Sequence, residues 1–258
     1  MQQGHLETSH FPLRKDHNTS SKAFRNFAFF ESYFSNYIEG TVFEIDEARQ
    51  IVETNRPLPA RDEDSHDILG TYQLVSSREQ MSVLPQSSGE LLSLLKERHR
   101  VLLGARSNQQ PGLFKVQKNK AGNTLFVDWE LVAGTLTRGF EIYQALSNPF
   151  KRAIYMLFMV SEVHPFKDGN GRIARIMMNA ELVAADHARI MIPTVYWEDY
   201  LGALRKLTRR SQAAAFIRML DRVADFSLTV QGEDMDKMQI YLESCNAFIE
   251  STEGVLRF

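Results

Sequence analysis

Residues 164–175 read HPFKDGNGRIAR, a polar run punctuated by glycines and set between two apolar stretches. Upstream, Asn148–Pro149 supplies an N-cap and a first helical residue for a helix over 149–163. That segment is apolar nearly all round (Phe150, Ile154, Met156, Leu157, Phe158, Val160), and Ile173–Ala185 downstream is similar. A helix that is hydrophobic on every side is one surrounded by others. Two buried helices therefore flank the run, and the expected fold is all-α.

Further out, residues 22–39 place Phe24, Phe27, Phe30, Phe34, Tyr37 and Ile38 at steps of three and four, the pattern of a helix with one apolar face, and Gly40 supplies its stop. Residues 55–67 read as a Pro-bearing loop passing into a charged helix start. Ser87 and Glu90 stand in capping-box register before Leu91, Leu94, Leu95 and Leu102, which predicts a helix over 87–104. Around Lys118–Asn123, short alternating runs with a glycine between them predict a hairpin, the one good β signal in the chain. Helices are expected over about 129–147 and again within 197–250, where Arg205, Lys206, Arg209, Arg210, Arg218 and Arg222 make one region basic. Residues 1–21 are polar and carry His5, His10 and His17, isolated from any carboxylate or cysteine at ligand spacing, so they are expected to be loosely ordered unless they dock.

The chain has 258 residues, 43% hydrophobic and 24% charged, with a formal net charge of −2. These values suit a globular protein with a real core and argue against a dominant affinity for nucleic acid or anionic membrane. The single cysteine, Cys245, excludes an internal disulfide and cysteine-rich zinc sites. The longest apolar run, Ile154–Val160, is far too short for a bilayer, and no leader-like segment opens the chain. A cytoplasmic location is the expectation.

The chemistry of the run follows from its residue types. With a helix beginning near Gly171, Gly169, Asn170 and Gly171 present free N–H groups where the helix dipole also favours an anion. Arg172 and Arg175 at i and i+3 can fork around the oxygens of one ligand. Two arginines and a backbone nest exceed what one phosphate needs and suit a di- or triphosphate. Asp168 is the natural carboxylate for a phosphate-bridging Mg²⁺, and His164 is the group whose ordinary pKa suits a general base. Phe166 reads as the anchor that pins the loop into the core.

The run resembles the signature of Fic-domain proteins, H-[PX]-F-x-[D/E]-G-N-G-R-x-x-R, at every defined position, and the flanking helices and the hairpin resemble that family's helical core and β flap over about residues 90–225. The resemblance implies AMP transfer from ATP, with Mg²⁺, to a Ser, Thr or Tyr hydroxyl of a target protein. It implies His164 as base, Asp168 on Mg²⁺, and a nucleotide-binding set of Phe166, Gly169, Asn170, Gly171, Arg172 and Arg175. In that set Asn170 and the glycine amides hold the α-phosphate, and the arginines hold the outer phosphates. The flap, with Lys118, Thr124, Leu125 and Phe126, would pair with the target as an added strand; dimerisation occurs among relatives.

SNYIEG at 35–40 resembles the family's inhibitory motif, [S/T]-x-x-x-E-[G/N]. Ser35 and Glu39 lie one turn apart on one face, and a carboxylate at a helix C-terminus gains from a cationic partner. The resemblance names that partner as Arg175, so that Glu39 denies the γ-phosphate its site. The expected organisation is a polar segment 1–21, an N-terminal helical region 22–89 with the inhibitory helix 22–39, a Fic core 90–225 and a C-terminal helical extension 226–258. Removal of AMP, transfer of another phosphate-bearing group and non-catalytic nucleotide sensing are the alternatives.

Overall fold

The computed structural model describes residues 11–258; His5 and His10 lie outside the described residues. Eleven helices and one small hairpin make up the described part, as the apolar flanks of 164–175 predict. The helices are α1 (Ser21–Ile38), α2 (Ile45–Thr54), α3 (Asp62–Val75), α4 (Arg78–Met81), α5 (Ser88–Leu102), α6 (Val132–Ala145), α7 (Pro149–Val163), α8 (Asn170–Ala184), α9 (Trp197–Arg210), α10 (Ala213–Thr229) and α11 (Met235–Ser244). The hairpin pairs β1 (Lys120–Ala121) with β2 (Thr124–Leu125), antiparallel across Gly122–Asn123.

Local chemistry sets the boundaries that position the site. Asn148 Oδ1 accepts from Lys151 N at 3.1 Å, ahead of Pro149, and opens α7. Ser20 Oγ accepts from Ala23 N at 3.1 Å and opens α1, and Ser87 Oγ does the same for α5. These caps satisfy amides that a helix start leaves without partners. The antiparallel pair α7 and α8 forms the centre: Ile154, Met156, Leu157 and Val160 on one, Ile173, Ala174 and Met177 on the other, are fully buried.

α1 departs from the expected one-faced helix. Phe24 and Ala28 pack into the main core, while Phe27, Phe29, Phe30 and Phe34 enter a second apolar cluster with Met191, Phe226, Leu242 and Leu256. The reason is that the end of the chain covers what would be the solvent face, with Phe248 set against the rings of Phe30, Tyr33 and Phe34. Glu31, buried on the same helix, accepts from Arg189 at 2.7 Å and from Asn179 at 2.7 Å. Residues before α1 are docked as well: Arg14 donates to Asp221 at 2.6 Å and Asp225 at 2.8 Å on α10. No helix among the described residues is long and apolar enough to cross a membrane.

Candidate active site

His164 ends α7 in the left-handed region (φ 51°), an uncommon conformation for a residue with a side chain. Its backbone N–H bonds to Val160 O at 3.0 Å, and its Nδ1 lies 3.4 Å from Ser161 O, which leaves Nε2 as the acceptor. The ring stacks on Phe126 of the flap. Burial is the main cause that pushes its pKa down to about 4, with Lys115 adding to the effect, so the imidazole is neutral at physiological pH.

The loop from His164 to α8 is held by its own side chains. Phe166 is fully buried, stacked on His99 with centroids 3.8 Å apart. Asn170 Oδ1 accepts from Phe166 N at 2.8 Å, and Nδ2 donates to Phe166 O at 2.9 Å. The Phe166 ring is the loop's anchor, as its apolar type between polar neighbours suggests, and the Asn170 amide is committed to the loop backbone. Sequence reasoning missed His99, whose Nδ1 accepts from Gly112 N and whose Nε2 meets Asp168 O at 3.0 Å; no motif marks it.

Gly169 sits at φ +72° and opens α8. Gly171 borders a cavity of about 400 Å³ that is also lined by Glu39, Phe126, His164, Arg175, Tyr200, Arg205 and Arg209. A methyl group on Gly171 would stand 2.2 Å from Glu39 Oε1, so a side chain there would displace the Glu39 carboxylate. Arg175 Nη2 donates to Glu39 Oε1 at 2.7 Å and to Ser35 O at 2.8 Å, and Nε donates to Ser35 Oγ at 2.9 Å. Burial lowers the Arg175 pKa, but the Glu39 carboxylate beside it and the hydrogen bonds it makes outweigh this, and the net shift is upward. The pairing expected from the 35–40 stretch is thus present in the structure.

Arg172 pairs with a different carboxylate. It is buried and pairs with Asp67 at 2.8 Å and Asn36 Oδ1 at 3.2 Å. Asp168 is half exposed, with Oδ1 accepting from Gly169 N at 2.6 Å. Among the described residues no cluster of three or more His, Cys, Asp or Glu could cage a metal. A single half-exposed carboxylate suits Mg²⁺, which keeps waters and takes its other oxygens from phosphates.

On the flap, Leu125 is exposed and Lys118 pairs with Asp128 at 3.2 Å. Thr124 Oγ1 accepts from Arg209 Nη2 at 2.8 Å, which ties the flap to α9. Arg209 and Tyr200 were beyond sequence reasoning, which saw only a basic helix there.

Residues 91–182 match the Fic/DOC family. That stretch is similar to a Fic domain. Protein adenylyltransferase Fic of Drosophila persimilis is 26% identical over 222 residues, covering 83% of this chain and 43% of its own length; that of Drosophila melanogaster is 25% identical over 198 residues, covering 73% and 39%. The chain thus spans about two fifths of the length of these curated relatives. Fic-1 from C. elegans superposes with a TM-score of 0.68 at 17% identity, covering 94% of this chain and 70% of the other. A Fic domain containing signaling protein from Bacteroides thetaiotaomicron gives 0.69 at 19%, covering 79% and 85%. These likenesses establish the Fic fold for the helical body.

Proposed function

We propose that this chain is an autoinhibited protein adenylyltransferase, which moves AMP from ATP to a Ser, Thr or Tyr hydroxyl of a target protein. The observation that carries the reading is the Glu39–Arg175 contact, beside a neutral His164, at the wall of one cavity. His164 Nε2 takes the hydroxyl proton as the oxygen attacks the α-phosphorus, and the bond to the β-phosphate bridging oxygen breaks to release pyrophosphate. The backbone amides of Gly169 and Gly171 receive the α-phosphate, and Arg172 and Arg175 the outer phosphates. Asp168 would hold Mg²⁺, which when bound neutralises phosphate charge. The flap, with Lys118 and Leu125 exposed, is the proposed docking edge for the target. The regulatory part is the N-terminal helical region 22–89 and the catalytic part the core 90–225.

Glu39 opposes the reaction because it occupies the guanidinium that an anionic γ-phosphate needs. One observation keeps AMP removal as a second reading: Glu39 binds Arg175 through Oε1 alone, and its side chain is 28% exposed, so its second oxygen is available to orient a water.

The test incubates wild type, Glu39→Gly and His164→Ala with Mg²⁺ and ATP labelled at the α-phosphate, and follows label on the protein and in a lysate. Strong transfer by Glu39→Gly, little by wild type and none by His164→Ala is the expected result. If all three bind ATP and none transfers label, the reading fails, and release of AMP from labelled protein is then measured for the second one.

A further inference from the structure

Arg172 and Arg175 both meet a carboxylate from the N-terminal helices, but the two contacts differ in kind. Glu39 stands at the C-cap of α1, is 28% exposed and uses a single oxygen. Asp67 lies inside α3, is 3% exposed and has both oxygens engaged: Oδ2 accepts from Arg172 Nη1 at 2.8 Å and Oδ1 from Arg106 Nε at 2.9 Å. Arg106 is anchored in turn by Glu63 at 2.8 Å and Asp64 at 3.0 Å. A carboxylate fixed from both sides and shielded from water cannot be pushed aside by an arriving phosphate.

The Arg172 donors that Asp67 leaves open are informative. Nη1 is committed to Asp67 and to Asn36, while Nη2 lies 4.0 Å from Asp168 Oδ1 and Nε is buried with no hydrogen-bond partner. Nε and Nη2 form the side-on edge of a guanidinium, the edge that grips an oxyanion with two parallel bonds. An orphaned buried donor is destabilising, a cost that an anion bound at that edge would relieve.

We propose that Asp67 is a positioning residue for Arg172, holding the guanidinium by one nitrogen so that its opposite edge is presented to the outer phosphates of ATP. The inference rests on the adenylyltransferase reading. It makes the two carboxylates opposite in effect, since loss of Glu39 frees an arginine whereas loss of Asp67 disorients one.

The test measures ATP and AMP affinities, with Mg²⁺, by calorimetry on Glu39→Gly and on Glu39→Gly/Asp67→Asn, with thermal melts of both. The expected result is ATP binding weakened about tenfold or more by Asp67→Asn, with AMP binding changed less than about twofold. A loosened fold would weaken both nucleotides together, so equal losses overturn the proposal. No change, or tighter ATP binding, overturns it too, the latter by making Asp67 a second brake. If Asp67→Asn does not fold, Asp67→Asn/Arg106→Gln, which removes a carboxylate and a cation together, is measured against the same two outcomes. If folded Glu39→Gly binds neither nucleotide, the adenylyltransferase reading falls, and this inference with it.

Discussion

Phe126 lies flat on the imidazole of His164, with ring centroids 3.7 Å apart and planes within 4° of parallel. Beyond its proposed role as an edge for the target, the flap covers the proposed base, and burial is the leading cause of the imidazole's pKa of about 4. In Glu39→Gly, the acid limb of the rate of AMP transfer should lie near pH 4, because only the neutral imidazole accepts a proton. Adding Phe126→Ala admits water, and the limb should move upward, part of the way to the ordinary histidine value of about 6.5, with Lys115 still opposing. A pH–rate profile of the two proteins checks this; an unmoved limb would mean that the ring does not shield the base.

Stability should also depend on pH in a defined window. His99 and His164 are both pushed down to about 4, chiefly by burial. Between that value and about 6.5 the unfolded chain binds more protons than the folded one, so stability falls as pH falls through the window. Full development of each shift corresponds to on the order of 3 kcal/mol. Urea unfolding at pH 7.0, 5.5 and 4.5 should show a falling midpoint, and His99→Gln should flatten part of the slope.

Ser35 holds Arg175 through both its hydroxyl and its carbonyl. Ser35→Ala removes the hydroxyl acceptor only, a hydrogen bond from a charged donor that contributes on the order of 2 kcal/mol. Label transfer should rise several-fold over wild type and remain well below that of Glu39→Gly. Transfer equal to that of Glu39→Gly would show that the carboxylate depends wholly on the serine.

Arg189 is buried, donates to Glu31, Val75 O and Phe24 O, and has its guanidinium carbon 3.9 Å from the Phe24 ring centroid. Glu31→Ala would strand that charge, and breaking a buried pair in this way costs about 3–5 kcal/mol. Denaturant titration should show the loss, and Glu31→Ala/Arg189→Met should recover much of it.

The helices most clearly written in the sequence are those whose signals are local. Asn148–Pro149 marks the start of α7, Ser87 that of α5, and Gly122 the hairpin turn. α2 escaped because it begins at Glu44, whose capping box with Glu47 lacks the usual serine or threonine, and it buries only Ala48 and Ile51. In the site, His164, Gly171, Arg175, Ser35 and Glu39 stand together as the two motifs imply. Asp67, His99, Tyr200 and Arg209 carry no such mark, because each acts through a partner dozens of residues away. The Phe24–Phe34 periodicity pointed to one buried face, since nothing nearby announces that Phe248 will cover the other.

That covering limits how the proposed brake can move. With Phe27, Phe29, Phe30 and Phe34 each no more than 2% exposed, α1 belongs to the protein's interior, and lifting it away would be a partial unfolding event. The carboxylate proposed as inhibitory instead sits at the last residue before Gly40, whose φ of +88° already breaks the helix. Relief on that reading amounts to the Glu39 side chain changing rotamer, a motion of picoseconds to nanoseconds. On the proposed reading, clipping off the helix would disable the molecule, and an activator would have to act on a few atoms, not on a module.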